Sequence, residues 1–79
     1  MTSDTTLRDV PVGARVAVAG FGPGISAVQL EQLMSYGLVE GRTIEVLAQR
    51  PVTVVQVEHT ELALEAGVAQ AILARTVER

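Results

Sequence analysis

The sequence predicts a mainly β domain, a small five-stranded barrel with one short helix inserted after the first barrel strand. Three observations carry that expectation. Short alternating apolar runs are bounded by Gly and Pro, one segment bears a full set of helix caps, and β-branched Val dominates the large apolar residues. Short strands separated by turns favour a closed sheet, because closure removes unpaired edges.

Met1 to Thr5 carries no periodicity and is expected to be flexible. Val10-Pro11-Val12-Gly13 is a turn, with Pro fixing one dihedral and Gly free to take the next corner. Arg15-Val16-Ala17-Val18-Ala19 then alternates and puts Val16 and Val18 on one face of a strand. Gly20-Phe21-Gly22-Pro23-Gly24 breaks the pattern and reads as a loop.

A helix is predicted from Ala27 to Tyr36. Ser26 and Gln29 have capping-box spacing, and Ile25 with Leu30 has the spacing of a hydrophobic staple. Leu30, Leu33 and Met34, joined by Ala27, form the stripe on one side of the helix, expected to cover one end of the barrel through the three larger side chains. Gly37 stands where a left-handed C-terminal cap belongs.

Beyond the helix the pattern is β again. Val39-Glu40-Gly41 turns, and Thr43 to Ala48 alternates with Ile44, Val46 and Ala48 inward. Gln49-Arg50-Pro51 interrupts before a Val-rich strand from Val52 to Val57. His59-Thr60 connects it as a hairpin to Leu62-Ala63-Leu64. Ala66-Gly67 turns the chain, and Gln70 to Thr76 completes the sheet.

Composition removes whole classes of function. At 79 residues the chain is one domain, 1–79, of a size that buries only about 60% of its unfolded surface. With 48% apolar residues it is too hydrophobic for disorder. Six arginines, no lysine and nine carboxylates give a net charge of −3, so nucleic acid is not an expected partner. Without cysteine there is no disulfide, Fe–S or thiolate metal site. Neither a signal peptide nor a membrane-length apolar run is visible, so a cytoplasmic protein without membrane insertion is expected.

Few side chains point to chemistry. Gly20-x-Gly22-x-Gly24 lacks the Lys of a phosphate-binding loop and the spacing of a dinucleotide fingerprint, and reads as a strand-to-helix connection. Glu58, His59 and Glu61, with Glu65 nearby, offer oxygen and imidazole ligands around one hairpin. Within a strand, Glu58 and His59 would point to opposite faces, so an exposed polar tip is the plainer reading. No catalytic residue is identified: His59 is the lone His, and Ser26 is committed to capping. On the helical wheel Val28, Gln32 and Tyr36 lie away from Leu30 and Met34, a second edge suited to docking a protein.

Taken together, the ordered pattern resembles the FeoA family, ferrous iron transport protein A, with its SH3-like barrel. The residues that carry the resemblance are Leu7-x-x-Val10-Pro11-x-Gly13 and Leu33-x-x-Tyr36-Gly37-Leu38-x-x-Gly41. Ile44-x-Val46, Pro51 with Val55-x-Val57, Leu62-Ala63-Leu64 and Ala69-x-x-Ile72 continue it, so that it extends from Leu7 to about Arg75. The chain departs from the family at Gln32, where Arg is frequent, at Glu40, where Pro is frequent, and at Glu65, where Arg is frequent.

The resemblance implies a cytoplasmic accessory protein, without a cofactor of its own, for the ferrous iron transporter FeoB. FeoA-like domains are also similar to the C-terminal SH3-like domain of iron-dependent repressors, which implies an iron-responsive module as an alternative. A transition-metal carrier using Glu58, His59 and Glu61 is a further reading. So is a GTPase activator that inserts Arg50 or Arg42. The sequence leaves the oligomeric state open, a homo-oligomer included.

Overall fold

The alternating segments become six antiparallel strands in a computed structural model that describes residues 4–77. They are β1 (Thr5–Thr6), β2 (Arg15–Phe21), β3 (Thr43–Ala48), β4 (Thr53–Val57), β5 (Thr60–Leu64) and β6 (Ile72–Thr76). Helix α1 (Ala27–Ser35) follows β2, α2 (Ala66–Gln70) precedes β6, and a 3-10 turn, Leu7–Asp9, follows β1. The hydrogen-bonded order is β1-β6-β2-β3-β4-β5, leaving β1 and β5 at the two edges. The mainly β class and the helix after the first long strand stand as expected. The closed five-stranded barrel does not: the ladder has a sixth strand and runs open from edge to edge.

The sixth strand is short. Thr5 pairs with Ala74 and Thr6 with Leu73, and Asp4 accepts a hydrogen bond from Arg75 Nε at 3.2 Å. Of the segment expected to be flexible, Met1 to Ser3 lie outside the described residues. β2 also runs further than its alternation suggested, to Phe21, because the register against β6 shifts between Val18 and Gly20. A second shift, between Val46 and Ala48, separates β3 from strict pairing with β4. Irregularities of this kind bend and twist a strand pair, so the sheet curls around its own inner face.

That inner face is the core. Val16, Val18, Ile44, Val46, Val55, Val57, Leu64, Ile72 and Ala74 are each at most 4% exposed. Leu7, Val10, Leu33, Leu38 and Ala69 join the same cluster from outside the long strands. Ala48 is only half-buried, since it follows the register shift. On the outer face Arg15, Glu45, Gln56 and Glu61 stand in register across β2, β3, β4 and β5.

α1 begins and ends as its sequence dictates. Gln29 N donates to Ser26 Oγ at 3.1 Å, and Ser26 N donates to Gln29 Oε1 at 3.0 Å, completing the capping box. At the other end Gly37 has φ +97°, while Leu38 N donates to Leu33 O and Gly37 N to Met34 O. This is the Schellman arrangement, and it folds buried Leu38 back against buried Leu33. The packing stripe differs from expectation at two residues: Met34 is 49% exposed, and Ala27, in the first turn, is exposed as well. A nine-residue helix touches the core along one line, here through Leu33 with Leu30 half-buried, and Met34 lies about 100° round from Leu33.

The Ala66-Gly67 turn is in fact α2, and the last strand starts at Ile72 rather than Gln70. Glu65 caps α2 without a side-chain hydrogen bond, so the sequence carries no capping signal there. What α2 contributes to the core is Ala69.

One side chain joins distant parts of the chain. Gln49 Nε2 donates to Leu7 O at 2.9 Å and to Val10 O at 2.6 Å, and Thr53 Oγ1 donates to Gln49 Oε1 at 2.7 Å. Replacing Gln49 with Ala leaves Leu7 O only its bond from Val10 N, at 3.2 Å, and leaves Val10 O without a protein donor beside the core, which should destabilise the fold by about 2 kcal/mol. Urea unfolding that leaves Gln49→Ala at parental stability would show that water replaces the amide without loss. Leu33→Asp places an unpaired carboxylate in the core and should cost about 3 kcal/mol or more. An unchanged melting temperature for that variant would refute the packing of α1 through Leu33.

Candidate functional site

Exposed large apolar side chains gather on α1. Val28 is 65% exposed and Tyr36, its C-cap, 55%, and Gln32 is exposed between them. Spaced four residues apart, these three share one side of the helix. Met34 adds a third exposed apolar side chain on the opposite flank of the same outer surface. Reading the wheel about Leu30 and Met34 hid Met34; centring it on Leu33 would have found it. The face exists because one line of contacts is enough to hold a capped helix of nine residues.

The hairpin that offered metal ligands is organised differently. Its loop is Glu58-His59 rather than His59-Thr60, since Val57 pairs directly with Thr60. Glu58 adopts the left-handed conformation, φ 56°, which an ordinary side chain takes at some cost. Its carboxylate forms an ion pair with Arg42, and its carbonyl accepts from Gln56 Nε2 at 3.1 Å. Glu61 stands on the outer face of β5, opposite Gln56, and His59 is exposed. Among the described residues no three His, Asp or Glu side chains are grouped to hold a metal ion.

The glycine loop does more than connect. Gly22 N donates to Ala71 O at 2.6 Å, and a Cβ on Gly22 would stand 3.3 Å from that oxygen. A Cβ on Gly24 would meet Ala71 Cβ at 3.3 Å. These glycines thus let the β2–α1 loop close onto the α2–β6 junction. A shallow cleft of about 410 Å³ remains between them, lined by Gly22, Pro23, Gly24, Gly67, Gln70, Ala71 and Leu73. It offers no cation to a phosphate.

Among the described residues no nucleophile–base pair is hydrogen-bonded together. Ser26 Oγ is used by the capping box, and Ser35 Oγ donates to the carbonyl of Gln32 at 2.7 Å. Arg50 is exposed at the β3–β4 connection, whereas Arg42 is engaged with Glu58. No helix among the described residues is long and apolar enough to cross a membrane.

The fold recurs in solved structures. A crystal structure of an iron uptake regulatory protein (FeoA) is 23% identical, with a TM-score of 0.79, over 95% of this chain and 99% of that one. The solution structure of the FeoA protein from Chlorobium tepidum is 22% identical with a TM-score of 0.85, covering 94% of this chain and 71% of that chain. A manganese-dependent transcriptional repressor complexed with manganese matches at 20% identity and a TM-score of 0.85, over 98% of this chain but 38% of the repressor. No curated protein sequence matches the chain significantly. The family model for the FeoA domain, in contrast, matches residues 5–76, which take in every strand and both helices, and the chain therefore belongs to the FeoA domain family.

Proposed function

We propose that this protein is a cytoplasmic, non-enzymatic accessory protein of ferrous iron transport that docks through the outer face of α1 onto a FeoB-type transporter. Membership of the FeoA domain family supplies the transport system. The observation that carries the docking face is the exposure of Val28 and Tyr36, with Gln32 between them, on a helix fixed by its opposite side. Tyr suits such a face, since it offers large apolar area and a polar tip at low entropic cost. Gln32 stands where an Arg is frequent in the family, and Glu40 and Glu65 where Pro and Arg are frequent; those three positions bear on which transporter surface is accepted.

Truncation of an aromatic anchor at an interface costs about 2 kcal/mol, roughly a thirtyfold loss of affinity. Tyr36→Ala and Val28→Ala should therefore keep the parental circular dichroism and melting temperature while binding the purified transporter markedly more weakly in a titration. If both folded variants bind as the parent does, α1 is not the docking face. If the parent itself does not bind, the transporter is not the partner.

The metal-carrier reading through Glu58, His59 and Glu61 competes with the Arg42 ion pair for the Glu58 carboxylate. The isolated protein should accordingly bind Fe²⁺ with a dissociation constant well above about 1 μM. Anaerobic calorimetry that finds tighter binding, lost in His59→Ala, would replace docking with metal carriage. The likeness to a metal-dependent repressor supports an iron-responsive module in the same way, and the same calorimetry bears on it.

A further inference from the structure

Strand β5 is an edge without the usual protection. Edges are ordinarily blunted by shortness, proline, lysine or a bulge. β1, at the other edge, has two residues. β5 has five, contains neither Pro nor Lys, and pairs with β4 in unbroken register from Val57–Thr60 to Thr53–Leu64. The pairings of β2 with β6 and of β3 with β4 are both shifted, so this regular register is a feature of the β4–β5 hairpin alone among those three.

The hairpin fixes which backbone groups face outward. A two-residue loop is closed by a hydrogen-bonded pair, Val57 with Thr60, and hydrogen-bonded pairs alternate along an antiparallel ladder. Leu62 and Leu64 therefore turn their N–H and C=O toward β4, while Glu61 and Ala63 turn theirs away from the sheet. Among the described residues, no backbone group of any loop or helix bonds to that outer side.

We infer that β5 pairs with β5 of a second copy of this chain, antiparallel, about a two-fold axis at Leu62. In this register Glu61 faces the partner's Ala63 and Ala63 faces the partner's Glu61. Each facing pair exchanges two N–H···O=C bonds, so all four outward groups of each strand are satisfied. Leu62 faces the partner's Leu62 as the closely spaced pair between them, on the half-buried inner side of the strand. The alternatives with the same hydrogen-bond parity are worse. An axis at Glu61 sets two carboxylates directly opposite each other, and an axis at Ala63 sets Glu61 against the partner's Glu65. With the axis at Leu62, the exposed His59 lies opposite the partner's Glu65 instead. Charge thus selects one register, and the register is self-complementary, as a two-fold contact must be. The contact is small, so the dimer is weak and reversible.

Sedimentation equilibrium of the full chain up to about 1 mM tests this, with weight-average mass expected to rise with concentration from one chain and to level at two. Ala63→Pro deletes an outward N–H without touching the bonds to β4, and should raise the dissociation constant by about tenfold or more at parental circular dichroism. Should that variant unfold, Ala63→Asp keeps every backbone group yet places a carboxylate opposite the partner's Glu61, and the same loss is expected. Because the chain has no cysteine, register can be read by oxidation. A mixture of Glu61→Cys and Ala63→Cys proteins should cross-link faster than either variant alone. A monomer at every concentration, an oligomer larger than two, a dimer indifferent to both Ala63 variants, or fastest cross-linking within one variant would each overturn the proposal. None of these results depends on whether the transporter is the partner of α1.

Discussion

Two main-chain carbonyls, those of Leu7 and Val10, set the terms for the rest of the fold. Both residues are buried, Leu7 completely, and both lie at an irregular turn whose carbonyls no strand can use. A backbone acceptor next to an apolar core must find a donor, or its desolvation offsets what burial of the side chains gained. Leu7 O has one donor within the turn, Val10 N, and Gln49 supplies its second and the donor of Val10 O, from 42 and 39 residues away, with both hydrogens of one amide. The two carbonyls, which can only accept, fix which end of that amide is nitrogen, and the hydroxyl of Thr53, the buried polar residue of β4, donates to the other end. Through these three bonds the β3–β4 connection is tied to the segment before β2. Leu7 and Val10 can then enter the core that Val46 and Val55 share.

With that tie made, the remaining economy follows from size. A small chain buries a modest fraction of its surface and has few large side chains to spend, here without tryptophan. Every long strand therefore contributes its inner positions to one cluster, and the helices add only what closes the ends. α1 gives Leu33 and, through the Schellman turn, Leu38; α2 gives Ala69. A helix held by so narrow a line has most of its circumference left over. That surplus carries the exposed side chains of Val28, Met34 and Tyr36.

How far the sequence disclosed this depended on whether a residue's reason was local. The bounds of α1 were legible because Ser26, Gln29 and Gly37 act on their own helix, and those caps form as spaced. The long strands were legible because alternation is local too. Other features were not. β1 has two residues and no periodicity, and exists only because β6 lies beside it. α2 has five residues, too few for a helical stripe, and its first turn lacks a side-chain cap. Met34 was assigned inward because the wheel gives relative angles, while the direction of the core is set by tertiary contact. The same limit applies to the candidate surface. Val28, Gln32 and Tyr36 were recognisable as a common face and are exposed, whereas the pairing of Glu58 with Arg42 needed the fold to bring two loops together.

That pairing ties the Glu58-His59 loop to a distant part of the chain. A two-residue turn with Glu in the left-handed region is not favoured by the residue itself, since Asn or Gly would enter it more easily. The Glu58 carbonyl is held by Gln56 and its carboxylate by Arg42, which follows the Gly41 turn. Those contacts draw the turn toward the loop between α1 and β3. They also orient the Glu58 carboxylate toward a guanidinium, away from a common centre with His59 and Glu61. Among the described residues Arg42 pairs with Glu58 and Arg75 with Asp4, while Ser26 Oγ caps α1. What the chain presents is shape: a helix with an apolar outer face, and a sheet whose last strand ends in unpaired backbone.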